Sequence, residues 1–362
     1  MLAVLSVVAV VFFLAVTMLA HSYQTQRAAL GNRWFNRGVA DLNTGNYAAA
    51  VTEFRAALLY ARDDFSYQLN LAEALIGLKH TGEASAYLLN LWEREPENGL
   101  VNVELARIAA QQDRTDDAIR YYHNAVYAAW PASAQEKRRE ARIELIELLL
   151  RIHSDTEAQS ELIALAANAG EDPAQQARIA DLFLRASDYE HALAAYRTCL
   201  RLNRRNTAAL AAAGYAAFEL ARYPVALRYL QAAVESDPND SESAARLKTT
   251  EMVLHMDPFQ PEISAVKRNR IVVEAFNTAG ERLRSCRPPN APTGGTADTS
   301  LSGQWARLKL RITEAGLRRD PDLAERAMDL VFRIERETSN ACGMPAGADL
   351  ALLLIAKLHE GS

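Results

Sequence analysis

Cysteine is scarce. Three in 362 residues cannot staple a disulfide scaffold, and no two stand as Cys-x-x-Cys. Positive charge is not in excess either. Forty Lys and Arg against 45 Asp and Glu leave a net charge of −5, which excludes a general binder of nucleic acid or anionic lipid. The local basic runs are Lys137-Arg138-Arg139, Arg204-Arg205 and Lys267-Arg268-Asn269-Arg270. The first is interleaved with Glu136, Glu140 and Glu144, and all read as solvated helix faces. Signatures of chemistry are missing too: no His-Glu-x-x-His, no Gly-x-Ser-x-Gly, no Gly-x-x-x-x-Gly-Lys. Seven histidines (His21, His80, His123, His153, His191, His255, His359) are scattered. The acid pairs Asp63-Asp64 and Asp116-Asp117 fall at inter-helix turns, where carboxylates cap helices. These absences describe a protein that is not an enzyme and carries no cofactor or metal.

What is present is a period. Ala50, Ala84, Ala118, Ala158, Ala192 and Ala226 are separated by 34, 34, 40, 34 and 34 residues. Four residues after each stands Phe54, Leu88, Tyr122, Leu162, Tyr196 or Leu230, and seven after stands Ala57, Leu91, Ala125, Leu165, Cys199 or Ala233. Offsets of four and seven share one helical face, so each alanine opens an apolar stripe. Cys199 sits in that stripe as a small buried hydrophobe. Twelve residues before each alanine comes Gly38, Ala72, Ala106, Ile146, Ala180 or Gly214, on the preceding helix across a short turn. Small residues at both places let antiparallel backbones approach closely. The one long interval follows Trp130-Pro131, where Ser133-x-x-Glu136 has the form of a capping box. The six extra residues are expected as added turns at the front of the next helix. In the first copy Arg37 and Asp41 replace apolar residues, can pair across i,i+4, and suit an end unit with no neighbour.

This pattern resembles the tetratricopeptide repeat, best in Trp34-x-x-x-Gly38 … Gly45-x-Tyr47-x-x-Ala50 … Phe54-x-x-Ala57 and in Gly214 … Tyr223-x-x-Ala226 … Ala233 … Pro238. The resemblance implies an all-α fold, a superhelical solenoid of six helix pairs with a capping helix. The expected repeats are 31–64, 65–98, 99–132, 133–172, 173–206 and 207–240, with the cap at 241–256. It also implies a groove lined by the first helix of each pair. By repeat phase its residues are Asn70, Glu73, Glu104, Arg107, Glu147, Arg178, Asp181, Tyr215 and Phe218, a mixed set suited to a polar peptide or protein partner. The Lys and Asn with which some family members clamp a C-terminal carboxylate are replaced by Phe35 and Val39.

The flanks differ in kind. Leu2 to Ala20 is apolar but for Ser6 and Thr17. Nineteen helical residues span roughly 28 Å, close to the thickness of a bilayer's hydrocarbon. No basic residue precedes the run, and Met18-Leu19-Ala20 is a poor cleavage site, so residues 1–22 read as a single-pass anchor rather than a signal peptide. Arg27, Arg33 and Arg37 follow the run, and the positive-inside bias puts the repeats on the cytoplasmic side. After the break at Asp257-Pro258, a helix is expected over 261–286. A Pro/Gly/Thr linker follows over 287–300, then a C-terminal helical region over 301–360. There Trp305/Leu308/Ile312/Ala315 and Leu323/Ala327/Leu330/Val331/Ile334 form stripes, and 350–358 is a short apolar helix. These helices are expected to pack on one another and on the end of the repeats. Cys286 and Cys342 each close a helix before a breaker and are candidates for a bridge in an oxidising compartment, unpaired thiols being the alternative. The functional expectation is a membrane-tethered scaffold that recruits a protein through its groove. A structural component that self-associates through the C-terminal helices is the alternative.

Overall fold

The computed structural model describes residues 2–286 and 300–359, and of residues 2–11 the backbone alone. The linker expected at 287–300 therefore lies outside the described residues except for Ser300. Among the described residues every regular element is helical. The chain divides into two compact units, Met1–Leu165 and Ala166–Ser362. The division falls inside the fourth repeat, not between the repeats and the C-terminal region.

The first unit holds α1 (Leu2–Asn43), α2 (Tyr47–Leu58), α3 (Phe65–Gly77), α4 (Thr81–Arg94), α5 (Gly99–Gln111), α6 (Thr115–Tyr127), α7 (Gln135–Arg151) and most of α8 (Asp155–Ala167). Helices α1 to α7 pack each on the next, and Ala50, Ala84, Ala118 and Ala158 are wholly buried. The close approach expected at these alanines is made one turn further on. A Cβ on Gly38 would lie 2.6 Å from the Phe54 ring, so the small residue of the first helix is there to seat the large residue of the second.

Two local devices repeat with the period. Asp64 and Asn98 in the first unit, and Asp172, Asn206 and Asp240 in the second, cap first helices by accepting a backbone N–H two or three residues on. The inter-helix turns at Lys79, Asp113, His153, Ser187 and Ala221 all take positive φ, between 54° and 63°, and Gly45 occupies the same place in the first turn. The long interval departs from expectation. Ser133 and Glu136 form no capping box: α7 starts at Gln135 with no side-chain cap, behind a 3₁₀ turn over Ala132–Ala134, and Glu136 bonds Arg139 at 2.7 Å instead. The insertion becomes that turn plus a longer helix, 17 residues against 13 in α5. Nor do Arg37 and Asp41 pair. Arg37 lies over the Trp34 ring at 5.3 Å, and Asp41 accepts from Asn46 at 3.1 Å. Asp117 is not a cap but bridges Arg114 and Arg120.

Helix α1 runs unbroken from the apolar segment into the first repeat. The anchor expected at Leu2–Ala20 falls partly on residues 1–11, outside the described side chains. Among the described residues no single helix is long and apolar enough to cross a membrane.

The second unit continues with α9 (Pro173–Arg185), α10 (Tyr189–Leu202), α11 (Thr207–Glu219), α12 (Tyr223–Ser236), α13 (Ser241–Met256) and α14 (Ala265–Ser285). The C-terminal region is four helices: α15 (Leu301–Lys309), α16 (Glu314–Arg319), α17 (Asp322–Cys342) and α18 (Gly347–Leu358). The expected stripe Trp305/Leu308/Ile312/Ala315 is broken, because Thr313 caps a new helix and leaves Ala315 exposed. Helices α14, α17 and α18 close on α13 around one core that takes in Tyr223, Val253, Phe276, Leu330 and Leu352. A disulfide joins Cys286 to Cys342 across the ends of α14 and α17, with Cα atoms 5.9 Å apart. Cys199 is a buried free thiol, pushed up by burial.

Candidate functional site

Helices α3, α5 and α7 open successive repeats, so positions one period apart become neighbours on one face. Glu73 of α3, Glu104 and Arg107 of α5, and Lys137 and Glu140 of α7 line a single concavity of about 390 Å³ within the first unit. Its walls are apolar and aromatic: Tyr47, Ile76, Leu100, Val103 and Trp130. The indole of Trp130 lies against Gly99 and donates to the Ala125 carbonyl at 2.7 Å, fixing the ring.

Arg107 is the hub. Its Nε and Nη2 donate to the two oxygens of Glu144 at 2.9 and 2.6 Å, and Nη1 donates to Glu104 at 2.6 Å. The Tyr122 hydroxyl donates to Glu144 at 2.9 Å. A fork held at both tines by one carboxylate is both strong and directional. It also leaves the guanidinium little to offer Glu73. Burial, against the opposing pull of Lys137 and Arg107, holds the Glu73 carboxyl above its usual range. Burial likewise pushes Glu104 up to about 7, with Glu73 and Glu144 adding to it and Arg107 opposing. Four carboxylates thus surround two cations, Arg107 and Lys137. The excess is negative and partly desolvated, so a cationic group entering the concavity would both find partners and bring these acids back to their charged form.

The other expected groove residues are placed variously. Asn70 spends its amide on the Ser66 carbonyl at 2.9 Å, and Glu147 is half-buried one turn beyond Glu144 and does not line the concavity. In the second unit Arg178 and Asp181 are exposed, and Asp181 accepts from the Tyr196 hydroxyl. Tyr215 lies edge-on to Tyr189 and under the Arg246 guanidinium, 4.4 Å away; its hydroxyl is pushed up to about 12, chiefly by its hydrogen bond with Tyr189 and by burial. Phe218 packs against the core shared with the C-terminal helices, its ring edge-on to Tyr223. Of the nine, Glu73, Glu104 and Arg107 converge on the one concavity.

Two tetratricopeptide-repeat family models match the sequence, over residues 32–64 and 178–241. The chain carries tetratricopeptide repeats (TPRs) over these residues. No curated protein matches it. Among solved structures it is similar to PilF of Pseudomonas aeruginosa at 16% identity and a TM-score of 0.45, over 60% of this chain and 97% of that one. It is similar to PilW, a widely conserved type IV pilus biogenesis factor, at 14% identity and a TM-score of 0.43, over 61% and 98%. It is also similar to YrrB, a TPR protein with an unusual peptide-binding site, at 14% and 0.43, over 53% and 95%.

Reading TPR phase alone misses half of the concavity. Lys137, Glu140 and Glu144 look like a solvated face by composition, yet they are spaced i, i+3, i+7 on α7 and so share one stripe. That stripe turns to Arg107, and the side chain of Glu144 retains only 21% exposure. Trp130 is missed because it stands at the end of the third repeat, in the connection just before the insertion, and not on a groove-lining first helix.

Proposed function

We propose that this TPR protein is a non-enzymatic scaffold, held at a membrane by the start of α1, that recruits a protein partner by taking a lysine or arginine of that partner into the first unit's concavity. The observation that carries the reading is the surplus of carboxylates, Glu73 and Glu104 foremost, held partly desolvated between aromatic and aliphatic walls. Such walls suit the aliphatic stem of a long cationic side chain while the acids meet its head. The apolar side chains of α17 and α18 are used in the core, which favours recruitment over self-association through these helices.

The membrane tether is supported by Phe12 and Leu19, 71% and 72% exposed on α1 with further large apolar residues between them. An aqueous helix would not leave such a run bare. The side of the membrane is our inference as well. A disulfide persists in oxidising compartments, so the Cys286–Cys342 bridge supports repeats outside the cytoplasm, against the bias read from Arg27, Arg33 and Arg37.

Photo-crosslinking in intact cells tests the recruiting face. Benzoylphenylalanine placed at Ile76 or Leu100, in the wall, is expected to give one common adduct that Glu73→Lys abolishes. The same group at Leu89 or Ile163, exposed elsewhere on the unit, is expected to give none. Equal capture from all four positions would remove the concavity from the reading.

A further inference from the structure

A cleft of about 800 Å³ lies wholly in the first unit, where α1, the α2–α3 connection and α4 meet. Helices α1 and α2 are joined by a short turn and pack on each other, so α2 runs back toward the start of α1. Arg27 of α1 accordingly donates to the carbonyl of Leu59, at the end of α2, at 3.4 Å. Tyr23, 66% exposed, stands just past the apolar run, where aromatic rings mark the edge of a bilayer's hydrocarbon. Arg27 follows it by about one turn, roughly 6 Å further along the unbroken helix. A headgroup layer is roughly 5–8 Å deep on each side of a bilayer. The cleft therefore falls at headgroup depth, lined in part by Leu59, 78% exposed.

The lining carries both signs. Arg27 and Arg62 are exposed cations, and Tyr87 and Asn90 of α4 add a hydroxyl and an amide. Asp63 supplies a carboxylate; its neighbour Asp64 is spent on the Tyr67 N–H at 3.0 Å. The side chains of Arg62 and Asp63 form no hydrogen bond or ion pair with any described residue. Gln68 adds a second acceptor. Its Nε2 donates to the Arg62 carbonyl at 2.9 Å, and its buried Oε1 has no donor among the described residues. Guanidinium forks, a hydroxyl and an amide suit the oxygens of a phosphate. A free carboxylate and an unpaired amide oxygen call for the N–H donors of a cation.

We infer, on the tether proposed above, that this cleft holds the phosphoethanolamine headgroup of a phospholipid in the bilayer that α1 enters. The phosphate lies between Arg27 and Arg62, and the ammonium donates to Asp63, with Gln68 Oε1 as a second acceptor. A phosphocholine headgroup has no N–H to donate, and a phosphoglycerol headgroup brings no cation to Asp63. Each of those satisfies one half of the lining only. Bound in this way, the lipid fixes the first repeat against the membrane surface beside the tether.

The test uses the full chain in detergent and adds dioleoyl phosphatidylethanolamine, phosphatidylcholine or phosphatidylglycerol in turn. Native mass spectrometry counts the lipid retained. One phosphatidylethanolamine is expected to be held, about tenfold more tightly than either of the others. Arg62→Ala should weaken it about tenfold. Asp63→Asn should bring it down to the level of phosphatidylcholine while leaving phosphatidylcholine itself unchanged. Both side chains are exposed and unengaged, so both variants are expected to melt with the wild type. Equal retention of the three lipids, a preference for either of the other two, or a preference that survives Asp63→Asn would overturn the inference. Carbonate extraction of the full chain from vesicles of the same three lipids tests the tether separately. A chain that washes off sinks the tether, whereas a chain that stays but shows no headgroup preference sinks the cleft alone.

Discussion

Replacing Cys342 by serine, or reducing the Cys286–Cys342 bridge, is expected to lower the stability of the second unit by about 4 kcal/mol. The bridge spans a separation of 56 residues, and closing a loop of that size removes roughly this much chain entropy from the unfolded state. It ties the end of α14 to the end of α17, two helices that already pack along their length. The native contacts are thus unstrained by the loss, and the effect falls on the unfolded chain. Urea unfolding with and without reductant measures it, and alkylation without reductant is expected to leave both thiols unlabelled. The experiment should be run at several pH values because Glu335 sits nearby in the same unit. It is wholly buried, and neither of its oxygens is hydrogen-bonded within the described residues. Burial first, then Asp349, push it up to about 8, with Arg282 opposing. The folded chain holds a proton there that the unfolded chain releases above the ordinary carboxyl range. Stability is therefore lost as pH rises from about 4.5 through 8, by up to about 1.4 kcal/mol per pH unit. Glu335→Gln should flatten that slope without touching the effect of the bridge.

Phe54→Ala is expected to cost about 4 kcal/mol, the range for emptying a large, fully buried aromatic site. Phe54 is wholly buried, seated over Gly38 and 5.7 Å from the Phe35 ring. Gly38→Ala alone should also destabilise, by about 1–3 kcal/mol, since its methyl would meet that ring at far less than contact distance. The informative result is the pair together. With the ring gone, the methyl has room and fills part of the void, so the double variant is expected to be more stable than the sum of the singles, by about 1 kcal/mol or more. Simple additivity in thermal or urea unfolding would mean that the two positions do not meet.

Much of this was legible because a period of 34 residues repeats both the apolar stripe and the small residue that faces it. Burial of all six alanines and the grouping of Glu73, Glu104 and Arg107 follow directly from phase. What was not legible depends on pairings between distant positions. Arg107 finds Glu144 in the next repeat, and nothing local to either residue announces it. Ser133 and Glu136 had the form of a cap, but Trp130, docked on Gly99 and bonded to Ala125, draws the chain in before them and moves the helix start. The C-terminal helices were misdivided for a related reason. Apolar spacing runs on through Leu308 and Ile312, while Thr313 stops one helix and caps the next. Asn269 lay within a run that composition assigns to a solvated face, and it is buried because α16 and α17 cover that part of α14.

The most direct test of the recruiting concavity is the pH dependence of its affinity for a cationic peptide. Random peptides selected on the full chain at pH 8, and lost from Glu73→Lys, are expected to carry lysine or arginine. With Glu104 titrating at about 7, their affinity should rise about tenfold between pH 6 and 8, and Glu104→Gln should abolish that rise. Selection of acidic peptides, or an affinity that is flat with pH in the unaltered protein, would contradict it.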